Sequence, residues 1–221
     1  MERSPLDSPI EIETGPAPDA CIIWLHGLGA DGHDFEAIAH EIGRPATRLI
    51  LPHAPYRRVT LNQGAVMRAW FDLYALTSGA PQDAPGIDAA ATAVQQLVQR
   101  EQSRGLGPER VIVAGFSQGG AVALHTALTS PVRLGGIVGL STYLPLHDTV
   151  NRERAPDHPG VPVFLAHGTW DPVIAISAGE RSAELLRGKD LRVDWHSYPM
   201  GHTVIADEIS DLRAWLHRVL D

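Results

Sequence analysis

Val111-Ile-Val-Ala-Gly-Phe-Ser117-Gln-Gly-Gly-Ala-Val-Ala-Leu124 decides how this chain folds. Val111 to Ala114 is a continuous apolar run of β-formers, as in a strand buried on both faces. Ser117 to Leu128 is apolar nearly all round and reads as a buried helix. Between them, Gly115-Phe-Ser117-Gln-Gly119 matches G-x-S-x-G in the strand–turn–helix context of a nucleophile elbow. The turn crowds backbone against backbone, so the positions flanking the serine must be small. Glycine supplies that. Ser117 is lifted above the sheet and set at a helix N-terminus, where free N–H groups stabilise developing negative charge. Serine also caps helices, but glycine on both sides favours the elbow.

The flanking sequence alternates in the same way. Strands are expected at Ile10 to Glu13, Ala20 to Leu25, Arg48 to Leu51, Ala69 to Leu73, Gly136 to Leu140, Val161 to Ala166 and Arg192 to Ser197. Helices are expected from Asp34, as cap, to Ile42, over Ile87 to Gln102, over Ile176 to Leu186 and over Thr203 to Leu220. In the last, Ile205, Ile209, Leu212, Leu216 and Val219 form the inward face. Strands alternating with helices give an α/β class, a mostly parallel sheet covered on both faces, in one domain over 1–221. Residues 1–9 are expected to be loosely ordered. Chemistry in such sheets sits in loops beyond the C-terminal ends of strands.

A serine hydroxyl needs a base, and the base needs an orienting acid. In elbow-type folds these follow in the order serine, acid, histidine. Asp171 is the first carboxylate beyond the Val161 strand, in His167-Gly-Thr-Trp-Asp171-Pro172. Asp-Pro is also a common turn. Asp194 lies mid-strand, and Asp148 and Asp157 are further fallbacks. Of His196, His202 and His217, only His202 follows a strand in a sharp loop, Tyr198-Pro-Met-Gly201-His202. An oxyanion hole would use the N–H after the nucleophile, Gln118, and one from the loop after an early strand, assigned to Leu28.

That early loop carries a competing motif. Gly27-Leu-Gly29-Ala-Asp-Gly32 matches the G-x-G-x-x-G of dinucleotide-binding proteins. The reading requires an acid about 20 residues on, and Leu51-Pro-His-Ala54 has none. Treated as oxyanion donors, these glycines join Ser117 in one site.

Composition limits the alternatives. Among 221 residues, 44% are apolar and 20% charged, a globular rather than disordered balance. A net charge of −8 without a basic block argues against nucleic acid and anionic membrane surfaces. The one cysteine, Cys21, excludes an intrachain disulfide and a cysteine metal cluster, and fits a reducing, cytoplasmic setting. No signal peptide or spanning segment is read, so stable membrane insertion is not expected. Neither cofactor nor metal is expected. A homodimer is left open.

The chain resembles the small serine carboxylesterases and acyl-protein thioesterases of the phospholipase/carboxylesterase family. The matching pieces run in order: Leu25-His-Gly-Leu-Gly-Ala-Asp31-Gly, Leu51-Pro-His-Ala-Pro55, Met67-Arg-Ala-Trp-Phe-Asp72, Gly115-Phe-Ser-Gln-Gly-Gly120, His167-Gly-Thr-Trp-Asp-Pro-Val173 and Tyr198-Pro-Met-Gly-His202. The resemblance implies an α/β-hydrolase fold and a triad of Ser117, Asp171 and His202. It implies hydrolysis of a small-molecule ester or acylated substrate, acyl thioesters and lysophospholipids among them. It also implies that Trp70 flanks the acyl-binding groove, with Leu144 and Val173 as further lining. Trp170 and the Ala/Pro/Gly-rich stretch Thr77 to Gly86 depart from the pattern. Ser141 to Gly160 is too short for a lid domain. A non-catalytic binding protein of the same fold would normally carry a broken triad.

Overall fold

A computed structural model describes residues 8–42, 44–77, 79–147 and 158–221. In chain order the elements are β1 (Ile10–Glu13), β2 (Ala20–Leu25), α1 (Glu36–Ile42), β3 (Thr47–Leu51), β4 (Tyr56–Val59) and β5 (Ala65–Arg68). Then follow α2 (Ala84–Ser103), β6 (Val111–Phe116), α3 (Gln118–Thr129), β7 (Gly136–Leu140), β8 (Pro162–Gly168), α4 (Ile176–Arg187), β9 (Arg192–Tyr198) and α5 (Ala206–Leu220).

Among the described residues, seven strands form one sheet in the order β1-β3-β2-β6-β7-β8-β9. All neighbours are parallel except β1, which runs antiparallel to β3 with Ile10 opposite Leu51. The central strands alternate into two cores. On β2, Cys21, Ile23 and Leu25 face one side, with α2, α3 and α4 above them. Ile22 and Trp24 face the other, with α1 and α5. Burial on both faces is why these strands are continuous apolar runs. Among the described residues no helix is long and apolar enough to cross a membrane.

Two expected elements differ. The strand expected at Ala69 to Leu73 does not form. Instead β5 ends at Arg68, paired with β4 as a separate hairpin. Beyond it, backbone N–H groups go elsewhere: Ala69 to the Pro55 carbonyl, Trp70 to the Gln118 side chain and Asp72 to the Asp83 carboxylate. Asp34 is not the helix cap. Asp31 caps a short 3-10 turn, Gly32–Phe35, before α1, and Asp34 closes the capping box by accepting the Asp31 N–H. The inward face of α5 also includes Trp215 and Leu220, both buried, while Val219 is half-buried. Residues 1–7, from the expected loose N-terminus, and 148–157, from the segment read as too short for a lid, lie outside the described residues.

Candidate active site

β6 ends at Phe116 and α3 begins at Gln118, leaving Ser117 alone in the turn at φ 54° and ψ −118°. That is a left-handed conformation which a non-glycine residue holds only when its surroundings fix it. The surroundings do so by contact. A Cβ on Gly115 would lie 2.3 Å from the Gly119 carbonyl carbon, and one on Gly119 would lie 2.2 Å from the Leu25 carbonyl oxygen. The Ser117 N–H donates to the Leu140 carbonyl at 2.9 Å, and its carbonyl accepts from the Thr142 hydroxyl at 2.7 Å.

Asp171 follows β8, and His202 follows β9. Their loops meet over the elbow. His202 Nε2 lies 3.0 Å from Ser117 Oγ, and His202 Nδ1 lies 2.7 Å from Asp171 Oδ2. A carboxylate only accepts, so Nδ1 carries the proton and Nε2 is left to accept from the hydroxyl. The Asp171 side chain is wholly inaccessible to solvent. Burial pushes its carboxyl upward, but hydrogen bonds from His202 and from the Ile174 and Val173 N–H groups outweigh this and hold it below the ordinary carboxylate range. The His202 ring also packs on Phe116, with centroids 4.8 Å apart. A hydroxyl on an imidazole that is itself held by a buried carboxylate can pass its proton to the ring as it attacks an acyl carbon.

The loop after β2 runs beside the serine. A Cβ on Gly27 would lie 3.6 Å from Ser117 Cβ. The backbone N–H groups of Leu28 and Gln118 have no acceptor among the described residues. A cavity of about 590 Å³ opens over Ser117 and His202. Its walls are mostly apolar and include Phe35, Ile38, Leu61, Leu73, Val173 and Val204.

A model of the phospholipase/carboxylesterase family matches residues 9–220. The chain belongs to that family. It is 38% identical to acyl-protein thioesterase 1 of Yarrowia lipolytica over 216 residues, covering 94% of this chain and 95% of that one. It is 36% identical to acyl-protein thioesterase 1 of Mycosarcoma maydis, over 96% of this chain and 95% of the other. The solved structure of Zea mays acyl-protein thioesterase 2 superposes with a TM-score of 0.87 at 31% identity, over 97% of this chain and 99% of that one. Arabidopsis thaliana SOBER1 gives 0.86 at 31%, over 91% and 99%. The fold is therefore the α/β-hydrolase fold, and the protein is a serine hydrolase of this family.

For this hydrolase the dinucleotide reading of Gly27 to Gly32 falls. The Gly29 N–H is spent on the Arg68 carbonyl at 2.9 Å and the Gly32 N–H on His53 Nδ1 at 3.1 Å. Gly32 is a close-packing position, where a Cβ would meet the Leu51 carbonyl oxygen at 2.6 Å.

Two residues expected in the groove wall are not on it. Trp70 is buried behind the site, its indole N–H on the His26 carbonyl at 2.8 Å. Leu144 is buried in the core, its N–H on Ser182 Oγ at 2.7 Å, and its neighbour Tyr143 lines the cavity instead. Val173 lines the cavity and is exposed. Trp170, the departure from the family pattern, is 70% exposed near the Asp171 loop. The walls that sequence reasoning missed come mainly from loops and turns, where no periodicity marks them. Among the described residues, no group of three or more His, Cys, Asp or Glu side chains is placed to hold a metal.

Proposed function

We propose that the protein hydrolyses carboxylic esters and acyl thioesters through an acyl-enzyme on Ser117, with His202 as general base and Asp171 as its orienting acid. The observation that carries this is the unbroken chain Ser117 Oγ–His202–Asp171, with links of 3.0 and 2.7 Å. His202 Nε2 takes the serine proton as Oγ attacks the acyl carbon. The N–H groups of Leu28 and Gln118 receive the resulting oxyanion. Protonated His202 then gives its proton to the departing alcohol or thiol. Water repeats the cycle on the acyl-enzyme, with the same histidine first as base and then as acid.

The apolar cavity, about 590 Å³, supports an acyl chain as the bound portion. Val173 belongs to its wall. Thioesters enter because tetrahedral addition is common to both carbonyl classes, and because the relatives named acyl-protein thioesterase 1 cover nearly the whole chain. The test is a chain-length series of acyl esters, acyl thioesters and lysophospholipids on the purified protein, with fluorophosphonate labelling of Ser117. Turnover of esters and thioesters, abolished in step with labelling, is expected. Turnover that survives complete labelling of Ser117 would sink the reading.

A further inference from the structure

The indole of Trp70 is buried and donates to the loop beside the substrate cavity, at the His26 carbonyl. We propose that Trp70 is a positioning residue that fixes the two oxyanion donors relative to each other, a role that rests on the reading of the site given above. Two N–H groups from different elements must converge on one oxygen at about 2.7–3.1 Å. Leu28 lies three residues beyond the Leu25–Gly115 ladder pair and Gln118 in the first turn of α3. The ladder and the seat of Gly119 on the Leu25 and His26 carbonyls bring the two segments together, but neither holds Leu28 itself.

A circuit of buried hydrogen bonds completes the placement of Leu28. The Gln118 side chain docks on the backbone of the next residues along from β5. Its Oε1 accepts the Trp70 backbone N–H at 2.9 Å, and its Nε2 donates to the Phe71 carbonyl at 2.9 Å. The Trp70 indole N–H donates to the His26 carbonyl at 2.8 Å, two residues before Leu28. On the other side of Leu28, the Gly29 N–H donates to the Arg68 carbonyl at 2.9 Å. The oxyanion loop is thus hung on either side of Leu28 from Arg68–Phe71, and that segment is clipped to Gln118.

His26 stiffens the same circuit. Its Nε2 accepts from the Ala54 N–H at 3.0 Å, so the neutral ring carries its proton on Nδ1, 2.7 Å from the Gly27 carbonyl. Burial pushes this histidine down and keeps it neutral. His26, Trp70 and Gln118 are 0%, 1% and 4% exposed. A core tryptophan needs one acceptor for its indole and nothing more. Here the indole holds one half of the hole and the backbone of the same residue holds the other.

The experiment uses Trp70→Phe, which keeps the bulk and removes the N–H, and Gln118→Met, which keeps the backbone donor and removes the clip. Rates are taken per fluorophosphonate-titrated site, so loss of folded protein does not enter. In both variants kcat should fall about 10-fold or more, with KM within about 2-fold of the parent. The factor should be the same for acetyl and octanoyl esters. Affinity for a trifluoromethyl ketone, which forms the tetrahedral adduct, should fall in parallel with kcat/KM. The pH position of kcat/KM should not move, because His202 and Asp171 are untouched. Parental kcat per site in either variant overturns the proposal. So does a loss carried by KM that grows with acyl length, which would make Trp70 a groove wall. If Trp70→Phe does not fold, Gln118→Met interrupts the same circuit and gives the same readout. A parent that turns over no ester, or is not labelled at Ser117, defeats the reading of the site and the proposal with it. An active, labelled parent with unaffected variants defeats only the role of Trp70.

Discussion

Asp171 divides its two oxygens between the histidine and its own loop. Oδ2 accepts from His202 Nδ1 at 2.7 Å, while Oδ1 accepts the N–H groups of Val173 and Ile174 at 2.8 and 2.9 Å. The carboxylate therefore cannot rotate without breaking the turn that carries it. Behind it, His167 Nε2 donates to the Ile174 carbonyl at 2.9 Å and braces that turn.

Asp171→Asn keeps the shape but puts an amide against His202, favouring the wrong imidazole tautomer. The plateau of kcat/KM should drop by about 10⁴-fold rather than shift along the pH axis. The hydrogen bonds hold the Asp171 carboxyl below its ordinary value in the folded protein. Its contribution to stability is then present above the unfolded value, about 3.9, and is lost as pH falls through the folded one. Acid unfolding of the Asn variant should show a shallower slope below about pH 4. A variant that keeps most of the plateau rate would reduce Asp171 to a turn residue.

Ser117 occupies its turn at φ 54°, a conformation that costs a serine about 1–3 kcal/mol and a glycine almost nothing. Ser117→Gly should be inactive and more stable than the parent by up to about 2 kcal/mol, after the entropic cost of glycine is subtracted. Ser117→Ala should be inactive with little change in stability, since alanine inherits the strain. Denaturant melts of the two variants decide this: a glycine variant no more stable than the alanine one would mean that the elbow is unstrained.

Gly119 is where α3 touches β2. A methyl there would lie 2.2 Å from the Leu25 carbonyl oxygen and 2.6 Å from that of His26, both rigid backbone. Gly119→Ala should destabilise the fold by about 3 kcal/mol or more, beyond ordinary overpacking, because no side chain can move aside. The same push falls on the carbonyl that Trp70 holds, so the folded fraction should also turn over slowly. A stable, fully active Ala variant would contradict the close approach.

Ser117, Asp171 and His202 are legible in the sequence as candidates because each stands shortly beyond a readable strand: β6 and β8 are apolar runs, and β9 alternates. Chain order and loop position then leave few candidates. The cavity wall is not legible in that way. Ser141, at φ 46°, breaks the strand alternation after β7, so Tyr143 rather than Leu144 reaches the cavity. The place of Trp70 depends on a side chain 48 positions away, and no local period carries that information. The false strand at Ala69 to Leu73 has the same cause: its apolar residues are buried by tertiary contacts rather than by a ladder.

Glu208 lies in the first turn of α5, the helix that follows the His202 loop, and is 0% exposed. Burial pushes its carboxyl up to about 8, the Ile205 N–H pulling the other way and being outweighed. The folded value is raised above the unfolded one, about 4.3. Stability from the protonated group is therefore complete below that unfolded value and is lost as pH rises toward the folded one. Glu208→Gln keeps the size and cannot ionise. Its stability relative to the parent should climb between about pH 4.5 and 8, by as much as a few kcal/mol, and stay level on either side. The measurement is the difference in urea-unfolding free energy across that range. A stability difference that is flat with pH would mean that Glu208 is ionised in the folded protein.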